Sequence, residues 1–155
     1  MVGSAAGLIF SCDAASGDVV QMAIAGDSQP LGQVYQFAFM ADRTGFARYA
    51  GGVLRLAPGQ ASWAAIEANG LPETKAEGSR YFIAVDTERR PNVIYLATDY
   101  TVHASCDAGA NWLPVSQGLP ARCHPSTLRL VVEPDHSRHL VLTTYGRSAW
   151  RAHLN

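Results

Sequence analysis

The chain has no apolar run near the roughly 20 residues of a membrane-spanning helix. It has no block of like charge either, and its formal net charge is −1. That excludes the concentrated basic stripe of a nucleic-acid surface. The densest charge cluster, "TERRP" at 87–91, reads as a solvated loop. Cysteine is scarce: Cys12, Cys106 and Cys123, an odd and widely spaced set without a CxxC pair. Such a set makes neither a disulfide framework nor a zinc site. His103, His124, His136, His139 and His153 are scattered and add no ligand set. Gly-rich phosphate loops and G-x-S-x-G elbows are missing, as is any long helical period. No metal and no cofactor is therefore expected.

The start, "MVGSAAGLIFSC", lacks a basic n-region and offers only a short apolar stretch, a poor signal peptide. "IFSC" has the look of a lipoprotein cleavage box. The same "SCDA" returns at 105–108, where no processing site can lie.

What the sequence has is 155 residues, 48% of them hydrophobic and 16% charged, enough for one domain with a core. It also has repeats. Trp63 is answered by Trp112, "GLP" at 70–72 by 118–120, and "YLATD" at 95–99 by "VLTTY" at 141–145. The period is roughly 45–50 residues, a repeat-architecture spacing. Within 80–120, "YFIAVD", "VIYLAT", "TVHAS" and "WLPVS" are strand-length runs separated by turn residues. Pro114 suits an edge strand.

Four strands joined by short connections make an antiparallel meander. Repeated at this period, it has the form of a β-propeller blade. The expectation is an all-β chain of about three blades: a half blade at 7–25, four-stranded blades at 34–72 and 80–120, and a three-stranded blade at 127–154. So few blades do not close a ring. The chain would belong to a longer propeller, complete a ring by association of copies, or stack openly against a partner.

"SCDAGANW" at 105–112 has the form Ser-x-Asp-x-Gly-x-x-Trp, set by Ser105, Asp107, Gly109 and Trp112. It resembles the Asp-box, or BNR repeat, found in sialidases, xyloglucan-cleaving glycosidases, sortilin-type ectodomains and photosystem assembly factors. Residues 94–120 resemble the common bacterial version, and "TTYGRSAWRAHL" at 143–154 resembles a closing strand of such propellers. Two copies are degenerate. Ser11 and Asp13 stand without a Trp, and Trp63 stands with Pro58 in place of the Asp. The resemblance implies an extracellular or periplasmic setting and a carbohydrate or protein ligand.

The box needs no catalysis to explain it. Asp107 can accept N–H bonds within its own turn. Gly109 can take a positive φ, and Trp112 can fold its ring over the hairpin. Alternate connections of a meander lie on opposite faces, so the box shares a face with the strand one–two turns. The resemblance places ligands on the other face. Its candidates are Gly51 and Gly52, Asp99 and Tyr100, Tyr145 and Arg147, with the links 70–80 and 118–126. The tyrosines could stack on a sugar and Asp99 could bond hydroxyls; ordinary exposed turn residues would look the same.

No residue is singled out as catalytic. A sialidase would need an arginine triad, a Tyr–Glu pair and an acid Asp; a xyloglucan hydrolase needs two opposed carboxylates. The alternative reading is a fragment of such a glycoside hydrolase. Cys106 and Cys123 fall at opposite ends of strand four, roughly 17 Å apart at about 3.4 Å per residue, too far for a bridge.

Overall fold

The computed structural model describes residues 1–3, 7–26, 32–49, 51–66, 69–72, 81–89, 91–115, 118–119 and 122–154. Every regular element among them is a strand. In chain order these are β1 (Val2–Gly3), β2 (Ile9–Cys12), β3 (Val19–Ile24), β4 (Val34–Phe39), β5 (Gly45–Tyr49), β6 (Gly52–Leu56) and β7 (Ser62–Ala65), then β8 (Phe82–Asp86), β9 (Val93–Ala97), β10 (Val102–Ser105) and β11 (Leu113–Pro114), and last β12 (Pro125–Val132), β13 (Arg138–Thr144) and β14 (Ala149–Leu154). No helix among the described residues is long and apolar enough to cross a membrane.

The expected propeller-like, all-β architecture is present. β4–β7 and β8–β11 are four-stranded antiparallel meanders, and β12–β14 is a three-stranded one. The inner strands β4, β8 and β12 are neighbours. Gln36 of β4 joins the first two blades by donating from Nε2 to the Ile83 carbonyl at 2.7 Å. Its Oε1 accepts the Ile83 N–H at 3.3 Å. One amide side chain thus replaces a missing ladder pair between sheets.

The middle sheet shows why the sequence folds this way. All five residues of "VIYLA" in β9 are buried, because this strand is covered on both faces. Its side chains alternate between two cores. Val93, Tyr95 and Ala97 face Leu128, Leu140 and Leu142 of the third sheet. Ile94 and Leu96 face Met40, Phe46 and Val53 of the first. A one-residue slip would exchange the two sets, so both interfaces fix the register together.

The N-terminal hairpin adds a feature beyond the strand count. β3 runs parallel to β7, pairing Ala23 with Ser62 and Ile24 with Trp63, so β1–β7 form one seven-stranded sheet. That sheet curls: a Cβ on Gly3 would meet the Val34 Cβ at 2.6 Å, bringing β1 against β4 at the far edge. Ile9, Leu54 and wholly buried Trp63 fill the interior of the curl.

Candidate functional site

The connections separate into two faces with different local chemistry. On one lie the β2–β3, β4–β5, β6–β7, β8–β9, β10–β11 and β12–β13 turns. Each but the degenerate β6–β7 turn is held by an aspartate accepting backbone N–H bonds. Asp13 takes Ala15 N at 2.7 Å and Ser16 N at 3.1 Å. Asp42 takes Thr44 N at 2.9 Å, and Asp86 takes Glu88 N at 3.2 Å and Arg89 N at 3.3 Å. Asp135 takes Ser137 N at 3.0 Å. The bonds at Asp13 and Asp42 come first from backbone N–H groups and hold both carboxyls below the usual range; at Asp135 the Ser137 hydroxyl leads the same effect.

The 105–112 turn is the fullest version. Asp107 Oδ1 accepts the Asn111 N–H at 2.9 Å, the Ala110 N–H at 3.1 Å and the Ser105 hydroxyl at 2.8 Å. Its Oδ2 accepts from Asn111 Nδ2 at 2.7 Å. Ser105 Oγ, itself buried, accepts the Gly109 N–H at 2.9 Å. The Asn111 backbone N–H, then its side chain and the Ser105 hydroxyl, draw the Asp107 carboxyl down to about 2. Gly109 has φ +87°, and an added Cβ would press on Phe46 and Trp112 at 3.4 Å. Trp112 folds back so that Nε1 donates to the Gly109 carbonyl at 3.1 Å. Its ring then enters the core shared with Phe46 and Val53 of the neighbouring blade. Asp107 accepts four bonds from its own turn, three at Oδ1 and one at Oδ2.

The degenerate copies divide the same duties. The 11–18 turn keeps the Asp13 acceptor on an exposed tip. The β6–β7 turn, with Pro58, is closed by the Gln60 N–H to Ala57 carbonyl bond at 3.1 Å. Trp63 is wholly buried there, and its Nε1 has no partner among the described residues.

On the opposite face threonine replaces aspartate as the turn clasp. Thr98 Oγ1 accepts Thr101 N at 3.2 Å and Tyr100 N at 3.3 Å. Thr144 Oγ1 donates to the Ser148 carbonyl at 2.8 Å. These equivalent turns present the four candidate residues Asp99, Tyr100, Tyr145 and Arg147. Tyr100 is 46% exposed and Tyr145 60%.

The link entering the third blade touches both turns. Tyr145 N donates to the His124 carbonyl at 3.0 Å, tying turn to link. The Arg122 guanidinium lies 5.9 Å from the Tyr100 ring centre, within cation–π range. Between Arg122 and His124, Cys123 is wholly buried. Burial pushes its thiol up. Arg122 and His124 take φ +53° and +45°, and Ser148 takes +70°. Non-glycine residues in this region cost about 1 kcal/mol or more each, and the bonds just named hold them. Arg122 and His124 are additions to the sequence candidates. Their only signal was membership of the 118–126 link.

Gly51 and Gly52 lie further round, lining a separate cleft of about 660 Å³ with Tyr49, Asn69, Leu71 and Tyr81. Residues 73–80 and 120–121 of the two links fall outside the described residues. The three cysteines are free: Cys12 and Cys106 exposed on the aspartate face, Cys123 buried at the other.

No protein-family model matches the chain, and no curated protein sequence matches it. Among solved structures it is similar to the extracellular domain of a proposed one-component system from B. thetaiotaomicron, with a TM-score of 0.66 and 12% sequence identity. The match covers 99% of this chain and 20% of that one. The likeness is one of fold, and the chain spans about a fifth of its neighbour's length.

Proposed function

We propose that the protein is a noncatalytic Asp-box propeller module that binds a carbohydrate or protein ligand on its threonine-clasped face. The carrying observation is that exposed Tyr100 and Tyr145 stand in equivalent turns beside one strained link, Tyr100 near the Arg122 guanidinium and Tyr145 bonded to the His124 carbonyl, with Asp99 and Arg147 in the same two turns. Flat aromatic rings supply stacking area, and the charged groups supply hydrogen bonds that fix orientation. The similar bacterial protein is described as an extracellular domain, which supports an extracellular or periplasmic setting. Its chain is five times longer in coverage terms, which supports this chain's working with further blades or further copies.

The second reading, a piece of a glycoside hydrolase, requires a carboxylate opposed to Asp99. Every other described carboxylate, Asp13, Asp18, Asp42, Asp86, Glu88, Asp107, Glu133 and Asp135, sits in a turn of the aspartate face. Asp27, Glu67, Glu73 and Glu77 fall outside the described residues. A glycan array probed with labelled protein tests the binding reading: signal should drop with Tyr100→Ala and Tyr145→Ala at unchanged melting temperature. Turnover of a fluorogenic glycoside that disappears with Asp99→Ala would replace it with the hydrolase reading.

A further inference from the structure

Arg55 and Ala64 of the first blade sit opposite each other in β6 and β7, as Ala104 and Leu113 do in β10 and β11 of the middle blade. In the middle blade Ala104 packs against an apolar core. In the first blade a cation stands at the equivalent place. Arg55 is half-buried, and its Nε is buried with no acceptor among the described residues. No carboxylate of the described residues forms an ion pair with it. Asp42 bonds the Thr44 N–H, and the Arg55 charge is the weakest of the influences on its carboxyl. Pro58 stands where the intact box has Asp107, so the adjoining β6–β7 turn supplies no carboxylate.

A half-buried guanidinium without a counter-charge is costly unless a ligand neutralises it. The space for one is present. Arg55 lines a cleft of about 330 Å³ between the outer strands of the first blade and the Asp-box of the second. Ser62 lies two residues before Ala64, so both share a sheet face with Arg55. Further in, the same face carries Val53, which packs with Phe46 and Trp112. The cleft is open because Ser62 and Ala64 are small. Gly109 and Ala110 form its other wall, and their N–H groups are already given to Ser105 and Asp107. Toward a ligand the cleft offers the Arg55 fork, the Ser62 hydroxyl and the Gln60 amide.

We infer that this cleft binds a small organic monocarboxylate, at a site separate from the tyrosine-bearing face. The carboxylate takes the planar guanidinium fork in a two-bond pair. Ala57, Ala64, Ala65 and Ile66 cover the organic part. One cation matches one negative charge. A phosphate group, with about two charges at neutral pH, would leave the second unmatched. Both walls belong to blades that this chain itself holds, so the site is complete within one copy.

The probe is benzoate, with benzamide and inorganic phosphate as comparisons at matched ionic strength. In isotope-labelled protein the Arg55 Nε–H signal is assigned by its disappearance in Arg55→Lys. Benzoate should shift it saturably, together with the Ala64 and Ala110 amides. It should bind roughly tenfold more tightly than benzamide, the worth of one charge-assisted bond. Phosphate should give no saturable shift. Arg55→Met keeps most of the stem and should abolish the response of Ala64 and Ala110. Ala64→Leu, which gives this position the middle blade's residue and leaves the charge, should abolish it too. The Trp112 indole N–H, bonded to the Gly109 carbonyl, reports that the box is intact in each variant. Without ligand, Arg55→Met should melt no lower than the parent, since it removes an unmatched charge. An unmoved Nε–H signal, a benzamide or phosphate response equal to that of benzoate, or a response that survives Arg55→Met overturns the inference. A lower melting temperature for Arg55→Met overturns it as well, since the guanidinium would then serve the fold.

Discussion

The carbonyl of Asn69 accepts the Trp112 N–H at 2.9 Å, and the Asn69 side-chain amide donates to the Ala110 carbonyl at 3.2 Å. The last residues of one blade thus bind the main chain of the next blade's turn. The Ser105–Trp112 turn is therefore an inter-blade joint as well as a hairpin latch. Trp112 serves both roles, with its ring in the shared core and its backbone on Asn69.

Gly70 makes that approach feasible. It has φ +84°, and a Cβ there would fall 2.1 Å from the Trp112 carbonyl oxygen, a backbone atom that cannot swing away. Gly70→Ala should cost more than about 2 kcal/mol, from steric displacement added to left-handed strain. Gly118 is the control. Its φ is +83° with nothing within 4 Å, so Gly118→Ala should cost about 1 kcal/mol. Urea unfolding of the two variants measures the difference; equal costs would mean that the joint yields without penalty.

Asp107 gives the fold an acid-sensitive staple. Its folded carboxyl is drawn to about 2 by the N–H and O–H groups of its own turn. A depressed carboxylate contributes stability in full above its unfolded value near 3.8 and loses it as pH falls through about 2. Asp13, Asp42 and Asp135 are shifted the same way. Asp107→Ala should cost about 1–2 kcal/mol at neutral pH, in the manner of a lost cap. It should also flatten the fall in stability between pH 4 and pH 2, values bracketing the stated shift. Denaturant midpoints at pH 7, 4 and 2.5 check both, and ligand binding on the opposite face should persist.

Strand content was legible because each run of alternating or wholly apolar residues had to be covered on one face or two. β9 is the clearest case: "VIYLA" reads as a strand by its β-branched and aromatic residues, and the structure buries all five. The turn at 105–112 was legible because Ser-x-Asp contains its own acceptors and donors. What stayed hidden depends on partners distant in sequence. The β3–β7 pairing is a parallel ladder of two residue pairs, and nothing in "VVQMAI" names "SWAA" as its neighbour. Asn69 lies in an unremarkable link and acquires its role only when Ala110 is placed beside it. Arg138 likewise reaches Asp86 across two sheets.

His103 is a polar group in a core. It is 3% exposed, and its Nδ1 has no partner among the described residues. Burial lowers its pKa below the ordinary 6.5. The unfolded chain therefore binds the proton first, and stability falls as pH drops below about 6.5 toward the lowered folded value. His103→Leu removes both the orphaned nitrogen and the titration. It should leave stability at pH 8 unchanged or slightly higher and remove this loss between pH 6.5 and 5. Unfolding midpoints at pH 8 and 5.5 decide it; a variant that keeps the full slope would assign that slope to another group.

Asp86 and Arg138 pin the third blade to the second. The carboxylate is wholly buried, and Arg138 Nη1 lies 3.4 Å from both its oxygens. Removing the guanidinium leaves the buried carboxylate to the Glu88 and Arg89 N–H groups and the rest of its turn. Arg138→Met should cost about 3 kcal/mol, and Asp86→Asn together with Arg138→Met should cost less than the two single changes summed. A double-mutant cycle in guanidinium, where salt screens only exposed pairs, reads the coupling. Additive costs would show that the pair is incidental to docking of the blade.

Trp63 and Trp112 are the same residue at equivalent places in two repeats, yet their indole nitrogens differ in circumstance. Trp112 Nε1 donates to the Gly109 carbonyl at 3.1 Å, and Trp63 Nε1 is buried without an acceptor among the described residues. Replacing either by Phe removes similar volume and leaves a similar cavity, a cost of a few kcal/mol shared by both. The hydrogen-bond contribution then separates them. At Trp112 a satisfied bond is lost and the Gly109 carbonyl loses a donor. At Trp63 an unsatisfied donor disappears, which offsets part of the cavity. Trp63→Phe should therefore be milder than Trp112→Phe by about 1–2 kcal/mol. Thermal unfolding of the pair tests this, with tryptophan fluorescence confirming which indole remains. The reverse order would mean that the Trp63 ring, closing the curl of the seven-stranded sheet, matters more through packing than its nitrogen costs through desolvation.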